Sequence, residues 1–179
     1  MLPTALRKIW TDLEEIRASV LKEIEGLTQA QADWCPSERD WSAGELIHHL
    51  TLAEIATGKL ISKLIREGGA QGRLRPYPDD VREFEPLPLP PPGPAEAPPI
   101  VQPEHGHAIE KLLEELRTVR ARTRENVERL ATVDPRQLTH RHFQLGDLHL
   151  AQWVALQARH DAIHLAQMRD VKASPGFPA

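Results

Sequence analysis

A bundle of four long helices is the fold predicted for this chain, and three observations predict it. Apolar residues recur at spacings of three and four over four separate segments. Aromatic residues make up only 4% of the 179 residues, so the core falls to Leu, Ile, Val and Ala, a composition that favours helices over strands. The second segment opens with a complete helix-start signature.

The first helix carries Leu6, Ile9, Leu13, Ile16, Val20, Ile24 and Leu27 as one apolar stripe. The second begins at Ser42, which forms an S-x-x-E capping box with Glu45, while Trp41 and Leu46 occupy the hydrophobic-staple positions. Its stripe runs Leu46, Leu50, Ala53, Ala56, Leu60 and Leu64, and Gly68-Gly69 is expected to stop it. A proline-rich insertion follows, over about residues 70–104. Residues 86–103 contain nine prolines, which lack the amide donor of a helix or central strand. The segment is expected to cross the surface as a stiff spacer with neither element; a lid or a PxxP docking site is the sharper alternative. The third helix carries Ile109, Leu112, Leu116, Val119, Val127 and Leu130. The fourth carries Trp153, Leu156, Ile163, Met168 and Val171 and ends before Ser174-Pro175. His149 is its expected N-cap, with Gln152 at the capping-box position and Leu148 and Trp153 as the staple. The chain reads as one domain over 1–179, since its length suits one sizeable core.

Composition excludes several classes of function. A net charge of −4, with basic and acidic residues interleaved, gives no basic patch for nucleic acid. No run of about 18 uncharged apolar residues exists to span a membrane. The amphipathic N-terminus carries acids early, unlike a signal or transit peptide, so a cytoplasmic location is expected. Cys35 is the sole cysteine, which rules out an internal disulfide and a thiolate metal cage.

The nine histidines carry the chemistry. His160 and His164 stand four apart on the last helix, about 40° in azimuth and about 6 Å along the axis, so both rings can reach one ion. Their face also bears Trp153, Leu156, Gln157, Gln167, Met168 and Val171, the stripe expected to point inward. An HxxxH pair alone fits two buried, hydrogen-bonded histidines equally well. The second helix shifts that balance: stepping from Leu46 through Leu50, Ala53 and Leu60 sweeps His49 inward. His48 falls with Gly44, Thr51, Lys59 and Ser62 on the polar face, as a surface residue. Three neutral imidazoles with no fourth protein ligand describe an open site of catalytic type rather than a closed structural one. His105 and His107 are expected in solvent, and His140 and His142 in a loop, with His142 placed for packing or hydrogen bonding more than for the site mouth. A di-iron bundle needs two E-x-x-H pairs and further glutamates, whereas only Glu45–His48 matches. No HExxH, Gly-rich phosphate loop or G-x-S-x-G elbow is present, and Cys35 reads as passive.

The run Trp41-Ser-Ala-Gly-Glu45-Leu-Ile-His48-His49-Leu50 with Glu54, then Leu145-Gly146, then His160-Asp-Ala-Ile-His164-Leu-Ala-Gln167, resembles the signatures of the DinB/YfiT-like superfamily of metal-dependent proteins. The resemblance covers nearly the whole chain and includes the order of the three histidines. It implies an up-down-down-up four-helix bundle, a zinc or nickel ion and a homodimer. Characterised relatives include S-transferases and isomerases that use low-molecular-weight thiols. The long proline-rich insertion departs from typical members and bears on any carried-over substrate.

The leading functional expectation is therefore a metal-dependent enzyme acting on a small molecule, a hydrolase or a small-thiol-dependent S-transferase. His49, His160 and His164 are its ligands, and Gln167 and Glu54 are candidates to orient ligands or substrate. The rival is a non-catalytic, stress-linked protein binding metal or a small ligand, favoured by the lack of an evident general base.

Overall fold

A computed structural model describes residues 1–93 and 96–179. Four long helices form the bundle: α1 (Thr4–Ile24), α3 (Ala43–Ala70), α4 (Ile109–Leu130) and α5 (Leu150–Ala173), with the short α2 (Gln29–Asp33) between the first two. They follow the up-down-down-up order, with α5 packed on α1 and α3, and α4 packed mainly on α3. Among the described residues, no helix is long and apolar enough to cross a membrane.

The helix starts follow the predicted chemistry. Ser42 Oγ accepts the Glu45 amide at 3.1 Å and the Glu45 carboxylate accepts the Ser42 amide at 2.8 Å. At α5, His149 Nδ1 accepts the Gln152 amide and Gln152 Oε1 accepts the His149 amide, each at 3.2 Å. An equivalent box, Thr28 with Gln31, starts α2, which has too few residues to show a periodic stripe. The connection ahead of α5 contains an antiparallel hairpin of β1 (Thr139–His142) and β2 (Gly146–His149), in the register His140↔Leu148 and Arg141↔Asp147. Gly146, at φ 74°, turns the chain into β2 in a conformation open to glycine at little cost.

Two expectations about α3 are corrected. The helix runs through Gly68 and Gly69 to Ala70. A Cβ on Gly68 would lie 2.9 Å from Leu74 Cδ2 and 3.0 Å from Leu138 Cδ2, so the glycine serves close packing rather than termination. The buried stripe also lies one residue beyond the one expected: after Leu50 it continues through Glu54, Thr57 and Ile61. Ala53, Ala56 and Leu60 are half-buried instead and face a cavity. Gly44 and Thr51, expected on the polar face, are buried too: Gly44 packs against the Ala32 backbone, and Thr51 Oγ1 donates to the Ile47 carbonyl.

The core is in two parts. Val20, Ile24, Leu46, Leu50, Leu116 and Met168 belong to one apolar cluster, and Leu6, Leu13, Ile61, Val127, Leu130 and Val154 to the other. Along every long helix, a buried charged residue separates the two: Arg17 on α1, Glu54 on α3, Arg120 on α4 and Asp161 on α5. The proline-rich connection is irregular over its described residues, except for one 3-10 turn at Pro99–Val101 that was not expected. Val101 at its end is buried, so the segment is more than a surface spacer.

Candidate metal centre

The faces of α3 and α5 that meet across the bundle bring His49, His160 and His164 together. His160 Nε2 lies 3.0 Å from Nε2 of His49 and 3.0 Å from Nε2 of His164. A tetrahedral ion with metal–nitrogen bonds of about 2.1 Å needs donors roughly 3.4 Å apart, so a small adjustment seats one. Two of the rings are fixed from behind. His49 Nδ1 lies 2.6 Å from the Val101 carbonyl oxygen, and His164 Nδ1 lies 2.6 Å from Gln167 Oε1. Both partners are acceptors, so each Nδ1 carries the proton and donates it, which leaves each Nε2 a free lone pair. This is the support that metal-binding histidines ordinarily have.

Electrostatics keep the rings neutral. Burial first, then the neighbouring His164 and His49 rings, push the His160 imidazole down to about 2. Burial and His49 push His164 down to about 4, against the opposing pull of Gln167. Burial likewise lowers His49. Trp41 closes one side, its ring centroid 4.8 Å from that of His49 and 6.3 Å from that of His164. Lone pairs converging from neutral imidazoles suit a divalent transition-metal cation. Among the described residues, no fourth Cys, His, Asp or Glu donor joins this cluster.

The histidines line a cavity of about 750 Å³. Its walls are α3 (Ala53, Ala56, Leu60), α5 (Trp153, Leu156), the hairpin tip and the proline-rich connection. Ile100, Phe143 and Ile163 are exposed large apolar side chains, and all three line it. Inside, Gln157 Nε2 donates to Thr57 Oγ1 at 2.9 Å, so these two polar groups largely satisfy each other.

The remaining candidates fall in distinct places. Gln167 is exposed at the cavity and holds His164. Glu54 lies outside the histidine cluster and the cavity lining, and it is not a surface charge. It is 1% exposed, and its carboxylate is taken up by Arg17 at 2.8 Å and Arg120 at 3.0 Å. Those arginines also bind Asp161, at 2.8 and 3.2 Å, closing a charge-balanced quartet. Sequence inspection missed Arg17, Arg120 and Asp161. The signal was present for two of them, since Arg17 stands four residues after Leu13 and three before Val20, and Asp161 four after Gln157 and four before Leu165. His48 is half-buried and outside the cluster, with its Nδ1 accepting the Glu104 amide at 3.0 Å. His142 lines the cavity while its Nδ1 accepts the Gln144 and Leu145 amides, which leaves its proton on Nε2. His105 is exposed and His107 half-buried. Cys35 is held protonated, burial and Glu45 raising its thiol.

Known proteins share this architecture. The chain is 25% identical over 164 residues to Uncharacterized protein YuaE of Bacillus subtilis (strain 168), an alignment covering 88% of this chain and 93% of that protein. A solved structure described as "Crystal structure of TT2238, a four-helix bundle protein" superposes with a TM-score of 0.64 at 19% identity, covering 93% of this chain and 99% of the other. Residues 12–168 match the DinB superfamily, and the chain belongs to that superfamily.

Proposed function

We propose that this protein is a metal-dependent enzyme that acts on a small molecule with an apolar body, by hydrolysis or by transfer to a low-molecular-weight thiol. One observation carries the reading: three neutral imidazoles converge their Nε2 atoms in the wall of a cavity of about 750 Å³, with no fourth protein donor among the described residues. His49, His160 and His164 would hold a divalent ion, with zinc or nickel suiting the donors. Held there, an ion would supply Lewis-acid chemistry, the kind that brings the pKa of a water or thiol toward neutrality.

The chain's own residues supply the rest. Val101 and Gln167 keep two imidazoles in the tautomer whose Nε2 is free. Trp41 and the apolar walls exclude water and receive an apolar group, in a volume within the usual range for ligand pockets. His142 keeps its proton on Nε2 and is neutral near pH 7, because burial and Arg159 lower it, so it can donate a hydrogen bond to a substrate oxygen. Elemental analysis of purified protein, followed by hydrolysis and thiol-transfer screens with and without chelator, tests the proposal. One equivalent of metal with chelator-sensitive turnover supports it; stoichiometric metal with no turnover of any apolar ester, amide or electrophile favours a binding role.

A further inference from the structure

Two adjacent histidines of α3 grip both ends of one short stretch of the proline-rich connection. His49 Nδ1–H donates to the Val101 carbonyl at 2.6 Å, and His48 Nδ1 accepts the Glu104 amide at 3.0 Å. The backbone leading into the first anchor is stiff. Pro98 and Pro99 lead into the turn with their φ angles preset, and the Val101 amide donates to the Pro98 carbonyl at 2.9 Å. The Gln102 side chain donates to the Ala97 carbonyl at 2.7 Å and braces the turn from outside. The His107 ring, 4.5 Å from that of His48, backs the second anchor.

We infer that Val101 and His48 are positioning residues for His49, and that through them ion binding and the seating of the proline-rich cavity wall are coupled. The Val101 carbonyl sets the proton on His49 Nδ1 and so frees Nε2, while His48 fixes the backbone that presents this carbonyl. An ion at Nε2 draws electron density from the ring and makes Nδ1–H a stronger donor, which tightens the hold on Val101. By linkage, whatever seats the stretch strengthens ion binding by the same factor. Pro98, Ile100 and Val101 line the cavity, so a loaded site and a completed wall go together. The coupling rests on the proposed ligand role of the three histidines; the grip itself does not.

The experiment uses the full-length chain, with zinc as the probe. In metal-free protein, ¹⁵N spectra of the imidazoles should show His49 protonated at Nδ1. His48→Ala should speed hydrogen exchange of the Val101, Gln102 and Glu104 amides and weaken zinc binding about three- to tenfold, the worth of one hydrogen bond. His48→Asn, which keeps an acceptor in reach, should restore both. Zinc should slow exchange of the same amides in the parent chain but not in His49→Ala. Unchanged exchange and affinity in His48→Ala, or a His49 proton on Nε2, would overturn the inference. If His48→Ala loosens the stretch while the parent chain binds no zinc, the grip stands, and both its coupling to an ion and the metal-site reading fall.

Discussion

Arg17 on α1 donates to both carboxylate oxygens of Asp161 on α5, at 2.8 and 3.1 Å, and Asp161 is the residue that follows His160. The same guanidinium donates to Glu54 at 2.8 Å, five residues beyond His49. Arg120 completes the quartet from α4. Each long helix thus gives one charge to a junction between the two apolar clusters, and both helices that bear site histidines are tied to it. At 100° per residue, His160 and His164 lie about 60–100° around α5 from Asp161. Fixing Asp161 therefore fixes the rotation that aims both rings at α3.

Arg17→Met should destabilise the protein by about 3–5 kcal/mol, because two buried carboxylates keep only Arg120 to balance them. Urea denaturation of the metal-free chain measures this. Replacing all four members with apolar residues of similar volume should cost far less than the single change, since it leaves no buried charge unpaired. A single variant as stable as the parent would show that the quartet is solvated in solution.

The sequence displayed the parts of this fold that rest on local chemistry. Ser42 with Glu45 and His149 with Gln152 are boxes legible from spacing alone, and they bound α3 and α5 where expected. The inward phase of His49 was legible because Leu46 and Leu50 flank it at three and one residues. Beyond Leu50 the pattern misled, because Ala53, Ala56 and Leu60 are apolar for the cavity while the core position beside them holds Glu54. A charged residue reads as surface unless its partners are known, and those partners lie 37 and 66 positions away in the chain. The Val101 contact was illegible for a related reason: a backbone carbonyl has no sequence signature.

Gln167→Ala should weaken zinc binding about 10- to 100-fold, the usual cost of losing the group that orients a ligating histidine. Removing His49, His160 or His164 should cost more than removing Gln167, because a donor is lost rather than loosened. Competition titration against a chromophoric chelator ranks the four variants. Should Gln167→Ala match the parent chain, the Nδ1 contact of His164 would have no part in ion binding.

Metal-free protein should lose stability as pH falls below 6.5. In the unfolded chain His160 and His164 titrate near 6.5, whereas folded they take protons only at about 2 and about 4. Between those limits the unfolded state binds more protons, so stability rises with pH and levels off above 6.5. The slope is roughly 1 kcal/mol per pH unit for each histidine, over pH 4–6.5 for His164 and further down for His160. Thermal melts across this range should show it, and His160→Ala with His164→Ala should reduce it, leaving the part that the other lowered histidines such as His49 contribute. An unaltered slope in the double variant would place the proton uptake elsewhere.

Ala56→Trp should separate ion binding from substrate binding. Ala56 lies in the α3 wall of the cavity, seven residues along the chain from His49, so an indole there fills the space beyond the ion without replacing a ligand. The residue is half-buried, and the cavity of about 750 Å³ leaves room for the ring, so the cost in stability should be small. Zinc affinity should stay within about threefold of the parent chain, a difference of less than 1 kcal/mol. Binding of apolar ligands, followed by fluorescence of a solvatochromic probe and its displacement, should fall sharply. Loss of zinc along with the ligand would mean that the wall and the ion site are one packing unit. Retention of both would place the apolar ligand outside this cavity.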